Sequence, residues 1–332
     1  MRKPAALLLA LSASLCAQEP VYLVSQKGSN SVAFYTPAGT LLDTVPVGPH
    51  PHEMALSADG RHLYVTDNGT MRVEEPGQGG NTVSIVDVIA RKKVGEISLG
   101  RFHRPHGIDI DRATGRLAVT TEFPDQLLLI DPAARKVVRT YDTKGKTSHM
   151  VVLGMGARFA YVSNSGSGGV AVINLATGKT TFVATGPRPE GGALSRDGRY
   201  FYVGNRDGET VSIIDTATQK LAGQIHTGKG SVRLAAAPDG RHLVCALIHE
   251  NAIEVLDAVA RKSVTKIPVP EQLASLSLSP DGSLAFASAE EKDTVFVVSL
   301  AERKVALQIR TAPGSHPDPV LDLTPRPSSV AR

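Results

Sequence analysis

Tryptophan is missing from the 332-residue sequence, cysteine occurs only twice, and aromatic residues make up 5% of the chain. A C-x-x-C-H motif is also missing, so no c-type haem is expected. Beyond the N-terminal region no apolar run approaches the roughly 18 residues that a membrane-spanning helix needs, and no membrane span is expected there. Glycine (31) and proline (21) are abundant. With few helix-forming runs, this composition favours many short strands joined by turns.

The first 17 residues, MRKPAALLLALSASLCA, have the layout of a secretory signal peptide: two basic residues, an apolar run and small residues at the end. We therefore expect a cleaved signal peptide and a periplasmic or secreted protein. Cys16 follows Leu15, where lipidation normally requires a small residue, so a lipid anchor is disfavoured. Cys245 lies in a strand-like run and is predicted to be a small buried apolar residue.

The chain without this peptide is close to electrical neutrality. The whole sequence has 36 Lys+Arg and 32 Asp+Glu, and loss of Arg2 and Lys3 leaves 34 against 32, a net charge of +2. Because nucleic acids are bound mainly through positive charge, no nucleic-acid partner is expected. We expect a monomer whose partner is a small molecule.

A repeat of about 42 residues runs through the chain, which is the signature of propeller blades or solenoid turns. The clearest copies are LSADGRHLYVTDN (56–68), LSRDGRYFYVGN (194–205), APDGRHLVCAL (237–247) and LSPDGSLAFASA (278–289). Each copy predicts two strands joined by an Asp-Gly turn, and two further strand patterns follow it. At one position of the second strand, the copies carry Tyr22, Tyr64, Ala118, Tyr161, Tyr202, Val244 and Ala285.

Seven four-stranded units predict an all-β, seven-bladed β-propeller with antiparallel strands, which we expect to span 18–325 and to precede a C-terminal tail of 326–332. The first copy lacks a first strand, and HPDPVLDLT (316–324) supplies a first strand without a sequel. Pairing of these ends in one blade would close the ring and remove its exposed edges. The longest interval between copies contains MRVEEPGQGG (71–80), which is predicted to be a surface loop.

The segments YVTD (64–67), YVSN (161–164) and YVGN (202–205) resemble the repeats of the YVTN-type, YncE-like seven-bladed propellers. The resemblance covers nearly the whole mature chain and implies the fold but not the function. Similar propellers include the haem d1 domains, the copper-binding propeller of nitrous oxide reductase and sugar-lactone hydrolases. The lack of tryptophan disfavours WD40 proteins and the Trp-rich quinoprotein propellers.

Three imidazoles and a carboxylate recur at one position, just before the first strand of four consecutive blades. They are His52, His106, His149 and Glu190, and the next three blades have Val232, Ala274 and Pro319 there. Propeller strands run outward from the channel, so these residues are expected at the top of the channel, a common place for a binding site. Further candidates on this face are Glu53, His103, Glu122 and Arg233.

Imidazoles from adjacent blades suit a transition metal such as Cu, Zn or Fe, with His52, His106 and His149 as ligands and one open position. Glu122 and Glu190 are candidates for a further ligand, an orienting group or a general base. For a small anionic ligand, Arg233 offers a planar fork to a carboxylate or phosphate. The other residues expected to bind such a ligand are Glu53, His103, Glu122 and Glu190.

Two classes of function stay open. One is an enzyme, either a metal-assisted hydrolase such as a lactonase or an oxidoreductase. The other is a non-catalytic scaffold that binds a ligand or a protein, for which the three imidazoles are dispensable and loops such as 71–80 carry the affinity. The segment SGSGG (165–169) is interpreted as a hairpin loop, because a strand pattern rather than a helix follows it.

Overall fold

The computed structural model describes residues 21–324. The predicted signal peptide with Cys16 and the predicted tail of 326–332 lie outside this range, and the limits of the propeller domain stay predictions. The described residues form 28 strands in seven four-stranded antiparallel sheets. The predicted all-β, seven-bladed propeller is therefore confirmed.

The strands are numbered in chain order and grouped by blade. Blade 1 contains β28 (Pro317–Asp322), β1 (Tyr22–Gln26), β2 (Ser31–Tyr35) and β3 (Leu41–Pro46). Blade 2 contains β4 (Pro51–Leu56), β5 (His62–Asp67), β6 (Thr82–Asp87) and β7 (Lys92–Ser98). Blade 3 contains β8 (His103–Ile110), β9 (Leu117–Phe123), β10 (Asp125–Asp131) and β11 (Lys136–Asp142). Blade 4 contains β12 (Ser148–Leu153), β13 (Phe159–Asn164), β14 (Gly169–Asn174) and β15 (Thr180–Ala184).

The remaining blades follow the same order. Blade 5 contains β16 (Pro189–Leu194), β17 (Tyr200–Asn205), β18 (Thr210–Asp215) and β19 (Lys220–His226). Blade 6 contains β20 (Ser231–Ala236), β21 (His242–Leu247), β22 (Ala252–Asp257) and β23 (Lys262–Pro268). Blade 7 contains β24 (Ser275–Leu278), β25 (Leu284–Ala289), β26 (Thr294–Ser299) and β27 (Lys304–Arg310). Three 3₁₀ turns occupy Met155–Ala157, Ser165–Ser167 and Glu290–Lys292.

The two ends of the described chain close the ring, as the repeats predict. Strand β28 pairs with β1, and Val320 of β28 lies opposite Val24 and is buried. Strand β28 also contacts the innermost strands of both neighbouring blades, β24 and β4. Blade 1 is thus completed by strands from opposite ends of the sequence, and neither strand is left without a partner.

Aromatic and branched side chains of adjacent blades form the core. Tyr22 packs edge-on against Phe286 with 4.7 Å between ring centroids, and this contact joins blade 1 to blade 7. Burial of this apolar surface stabilises the ring in proportion to its area. The strand registers place Leu23 and Phe286, rather than Tyr22 and Ala285, at the repeat position equivalent to Tyr64.

The Asp-Gly turns between first and second strands repeat one local geometry. In blade 2 the Ser57 hydroxyl donates to Asp59, Asp59 accepts from the Arg61 amide, and Gly60 has a φ of 73°. Glycine adopts this left-handed conformation without the cost that a side chain would add. The repeated Ser-x-Asp-Gly segment is therefore a turn signal.

Other sequence-based predictions concern single features. Cys245 is fully buried and unpaired in β21, as expected for a small apolar residue. The SGSGG segment turns directly into β14, which confirms the hairpin. Within 21–324, no helix is long and apolar enough to cross a membrane.

Candidate functional site

Each blade presents one residue to the top of the channel, within the inner part of its first strand or, for Ala274, directly before that strand. These seven residues, called the inner ring, are His52, His106, His149, Glu190, Val232, Ala274 and Asp318, and all of them line one cavity. In blades 1 to 6 the pairing of first and second strands shifts register at this point. Such a β-bulge changes the direction of a side chain and is common beside functional sites.

The inner-ring residue of blade 1 is Asp318, so the sequence-based assignment of Pro319 is wrong by one residue. Pro317 of blade 1 and Pro51 of blade 2 occupy the same place in their bulges, and the inner-ring residue is the next one along the chain. A proline also precedes His106 and Glu190. This shared proline is the sequence signal that identifies Asp318.

Buried hydroxyl groups on second strands fix the inner ring to the blade before it. The hydroxyl groups donate to inner-ring carbonyl oxygens, in the pairs Thr66 with His106 (2.8 Å), Thr120 with His149 (2.6 Å), Ser163 with Glu190 (2.6 Å) and Ser288 with Asp318. The donors occupy the third position of the YVTN-like segments. The repeat that defines the fold therefore also holds the backbone of the candidate site.

The three histidines of the inner ring form a buried row. The ring centroids of His52 and His106 are 4.5 Å apart, and those of His106 and His149 are 3.8 Å apart. Burial is the largest cause that lowers the pKa of each imidazole, to about 3 for His106. All three rings are consequently neutral at pH 7, and each keeps a nitrogen lone pair.

Glu122 and Arg104 support the middle histidine from behind. His106 Nδ1 and Glu122 Oε1 share a hydrogen bond of 2.9 Å, and Arg104 Nε lies 3.1 Å from Glu122 Oε2. Burial raises the pKa of Glu122 to about 7, although Arg104 opposes this shift. A buried acid with a pKa near 7 is suited to proton transfer, and its hydrogen bond also orients the imidazole.

The outer two histidines differ in their partners. His52 Nε2 lies 2.9 Å from the carbonyl oxygen of Thr70, which fixes a proton on that nitrogen. His149 Nδ1 and His106 Nε2 are buried and have no hydrogen-bond partner among the described residues. Buried polar atoms without a partner are rare and often mark a place where a ligand, ion or water binds.

The side of the cavity formed by blades 1, 6 and 7 carries a buried charge network. Lys27 contacts both Glu290 and Asp318, and its Nζ lies 3.0 Å from Asp318 Oδ2. Arg233 pairs with Glu53, and its NH2 lies 3.8 Å from Asp318 Oδ1. Burial favours neutral Asp318, but Lys27 and Arg233 together hold its pKa below the ordinary value. Asp318 therefore stays ionised between two cations.

A second charge cluster lies beside His149. Glu190 is buried and accepts hydrogen bonds from Arg188 Nε (3.0 Å) and Arg206 NH1 (3.1 Å). Arg188 also donates from NH2 to Glu74, a residue of the connection between β5 and β6. This cluster joins the inner ring to that connection.

The connection between β5 and β6, called the 68–81 loop, covers part of the channel mouth. Arg104 donates to the carbonyl oxygens of Arg72, Val73 and Glu75. On the far side, Arg72 NH2 lies 2.6 Å from Glu291 of blade 7. The predicted surface loop is thus bound to three other blades and forms part of the cavity wall.

The inner ring and the 68–81 loop enclose a cavity of about 400 Å³. The histidines and charged groups share the wall with six apolar residues, which are Met71, Val73, Val232, Ile248, Leu273 and Ala274. Five basic and five acidic side chains line the cavity, so its wall is balanced in charge. The volume lies within the range of small-molecule sites, and the wall is more highly charged than in most of them.

The structure brings most predicted site residues together. His52, His106, His149, Glu190 and Arg233 line the cavity, whereas Glu53 and Glu122 stand behind it as partners of Arg233 and His106. His103 is separate: it does not line the cavity, and its Nδ1 lies 3.4 Å from Gly79 of the 68–81 loop.

The predicted metal role of the three imidazoles is a separate question. Within 21–324, no group of three or more His, Cys, Asp or Glu side chains is arranged to hold a metal ion. The neighbouring imidazole rings pack against each other instead. A metal held by the three histidines alone stays a prediction.

Several residues of the site are not predicted from the sequence. They are Lys27, Glu74, Arg104, Arg188, Arg206, Glu290 and Asp318. Lys27, Arg206 and Glu290 directly follow the second strands of their blades, and Glu122 holds the same repeat position at the end of β9. A search of that position for charge would find them. Glu74 lies in a non-repeating insertion and leaves no such signal.

The site thus belongs to a seven-bladed propeller with a partly covered polar pocket at the top of its channel. Residues 162–315 match the family model of the cytochrome D1 heme domain. No curated protein matches the chain. This match confirms the resemblance to haem d1-like propellers over that part of the chain.

Three solved structures share the fold. Kuenenia stuttgartiensis hydrazine synthase is 20% identical with a TM-score of 0.72, over 84% of this chain and 92% of that chain. A functionally unknown protein from Desulfotomaculum acetoxidans is 15% identical with a TM-score of 0.77, over 92% and 99%. The dihydro-heme d1 dehydrogenase NirN in complex with DHE is 18% identical with a TM-score of 0.62, over 89% and 64%.

Proposed function

We propose that the cavity binds a carboxylate-bearing molecule with an apolar body, and that a metal tetrapyrrole is the class of ligand that fits best. The observation that carries this proposal is the set of unpartnered buried polar atoms around one cavity. They are His106 Nε2, His149 Nδ1, Arg206 Nε, Arg233 NH1 and Asp318 Oδ1. Leaving such groups buried without partners costs about 1–3 kcal/mol each, which a ligand would offset.

The histidines fit the metal of such a ligand. Neutral imidazole nitrogens are axial ligands of haem iron, and His106 and His149 each have a buried nitrogen without a partner. Glu122 would orient His106, as carboxylates do for metal-bound histidines. The iron of a bound haem would supply redox chemistry or bind a further small ligand.

The rest of the wall fits the organic part. Arg233 NH1 is a free donor for a carboxylate, and Val232, Ile248 and Leu273 offer apolar contact on the same side of the cavity. The cytochrome D1 heme domain match and the NirN structure, whose name refers to a haem d1 derivative, support a tetrapyrrole over other amphipathic acids.

Spectroscopic titration tests the proposal. The purified protein is titrated with iron protoporphyrin IX and with haem d1, and the Soret band is followed. We expect saturable binding with a shifted band, and loss of the shift in the variant His106→Ala/His149→Ala. The matched control, His249→Ala, changes an exposed histidine and should bind as the wild type does. Absence of a saturable change with both compounds would refute the proposal.

A hydrolase is the second candidate. Its support is the contact between neutral His106 and Glu122, whose pKa is about 7, because such a pair can act as a general acid and base. Simple sugar lactones are the probes, and Glu122→Gln should lower the rate at least tenfold. The rate would also depend on added Zn²⁺ if His52, His106 and His149 hold a metal.

Export, a monomeric state and the absence of a nucleic-acid partner belong to the same proposal. Export is supported by the sequence of residues 1–17, and the absence of a nucleic-acid partner by the nearly neutral charge. If the protein binds no tetrapyrrole and hydrolyses no lactone, the remaining function is that of a scaffold, in which the channel mouth binds another macromolecule.

A further inference from the structure

Arg188 contacts a buried carboxylate with one side of its guanidinium and an exposed carboxylate with the other side. Its Nε donates to buried Glu190, which Arg206 also holds. Its NH2 donates to Glu74, whose side chain is 65% exposed. An exposed ion pair contributes little stability and exchanges easily, whereas the buried pair anchors the guanidinium.

Arg188 has a left-handed backbone that belongs to the repeat: His50, Arg104, Thr147 and His316 share it, each two residues before an inner-ring residue. Its φ is 52°, in the left-handed region that residues with side chains rarely adopt. The β16 strand begins at the next residue, Pro189, and places Glu190 in the inner ring.

A second cavity of about 470 Å³ lies on the other side of this cluster. Val73, Glu74, His149, Arg188 and Glu190 line both cavities. The rest of the second cavity is formed by the β13–β14 turn and by Thr147, Pro187 and Asp207. The Glu74–Arg188 contact therefore stands between the two cavities, next to His149.

We infer that Arg188 receives a carboxylate of the ligand and that Glu74 occupies this place until the ligand arrives. This inference rests on the proposed function, because it specifies where the acidic group of that ligand binds. Glu74 is a carboxylate on a loop that is tied down elsewhere through Arg104 and Arg72. Glu74 offers Arg188 the same carboxylate group that the ligand would offer. Release of Glu74 from Arg188 would join the two cavities.

The charge balance agrees with an exchange of one carboxylate for another. The cavity wall has equal numbers of basic and acidic side chains. A ligand carboxylate that entered while Glu74 stayed in place would therefore meet no excess positive charge. Displacement of Glu74 leaves the number of carboxylates around Arg188 unchanged. The released Glu74 returns to water, where a charge costs least.

Hydrogen exchange of the 68–81 loop tests the inference without the natural ligand. The probe is succinate, and neutral succinamide is its control. Succinate should speed exchange of the amides in 71–75 of the wild type about two- to fivefold in a saturable way, as expected for loss of an exposed ion pair. Succinamide should have no effect. In Glu74→Gln the loop should exchange faster from the start and ignore succinate, whereas Glu302→Gln, an exposed control, should behave as the wild type does.

Binding of a tetrapyrrole is the second experiment that tests the inference. Iron protoporphyrin IX should bind Glu74→Gln about two- to fivefold more tightly than it binds the wild type, and its dimethyl ester should bind both equally. Equal gains for acid and ester, or an identical response of wild type and Glu74→Gln to succinate, would overturn the inference. If no tetrapyrrole binds any variant, the proposed function fails, and the succinate result alone decides the role of Arg188.

Discussion

His106 Nδ1 and Glu122 Oε1 lie 2.9 Å apart in the channel wall, and burial shifts both groups towards their neutral forms. The pKa of His106 falls to about 3 and that of Glu122 rises to about 7. While Glu122 keeps its proton it donates to Nδ1, and the imidazole proton lies on Nε2, which is then a donor. Once Glu122 is ionised, Nδ1 donates to it and Nε2 is an acceptor. Glu122 thus controls the atom that the cavity ligand would meet.

Glu122 should make the folded protein lose stability as the pH rises. Folded Glu122 keeps its proton up to about pH 7, whereas the unfolded chain loses it near the ordinary value of 4.5. Between these values the folded state binds more protons, so stability falls with rising pH. Glu122→Gln removes this loss, and its stability relative to the wild type should increase by about 3 kcal/mol from pH 4.5 to 7.

Urea denaturation of the ligand-free protein across this pH range measures the effect. Glu302→Gln, which changes an exposed side chain, should run parallel to the wild type. A constant difference between Glu122→Gln and the wild type would show that burial does not raise the pKa of Glu122.

Arg233 and Glu53 should be energetically coupled. Both are buried, and they lie 180 positions apart in the sequence. Arg233→Met leaves Glu53 and Asp318 without this cation and should cost about 3–5 kcal/mol. Adding Glu53→Gln should recover part of this loss, since the uncompensated charge is then removed. Strict additivity in a double-mutant cycle, measured by urea denaturation, would mean that the pair contributes nothing.

The sequence predicts the fold well because the same contacts recur in every blade. The inter-blade core and the Asp-Gly turns repeat with the period of the chain, so seven copies reinforce one interpretation. Six of the seven inner-ring residues follow from that period. Asp318 does not, because the bulge before it shifts the alignment of HPDPV by one residue unless Pro317 is used as the guide.

The ion pairs around the pocket could not be predicted in this way. Arg188 and Glu74 are 114 positions apart, and Arg72 and Glu291 are 219 apart. Both pairs depend on the path of the 68–81 loop, which occurs in one blade alone. A single non-repeating insertion carries no periodic signal, and its contacts depend on tertiary structure.

The closing strand β28 should be essential for stability. Val320 is 1% exposed and packs between blades 1 and 7, so Val320→Ala should cost about 1–3 kcal/mol through lost apolar contact and a cavity. Val264→Ala makes the same change on exposed β23 and should cost less than about 0.5 kcal/mol. Equal thermal melting of the two variants would argue against a stabilising role for β28.

Thr120 should connect the repeat to the site. Its hydroxyl donates to the His149 carbonyl oxygen of the next blade and accepts from the Gly107 amide. Thr120→Val keeps the shape but leaves both groups buried without this partner, which should cost about 1–3 kcal/mol. The exposed control Thr140→Val should be nearly neutral. Faster hydrogen exchange at 148–150 in Thr120→Val, absent in the control, would locate the loss at His149. Unchanged stability and exchange would show that the hydroxyl groups of the second strands do not hold the inner ring. The bulges alone would then fix the inner-ring backbone.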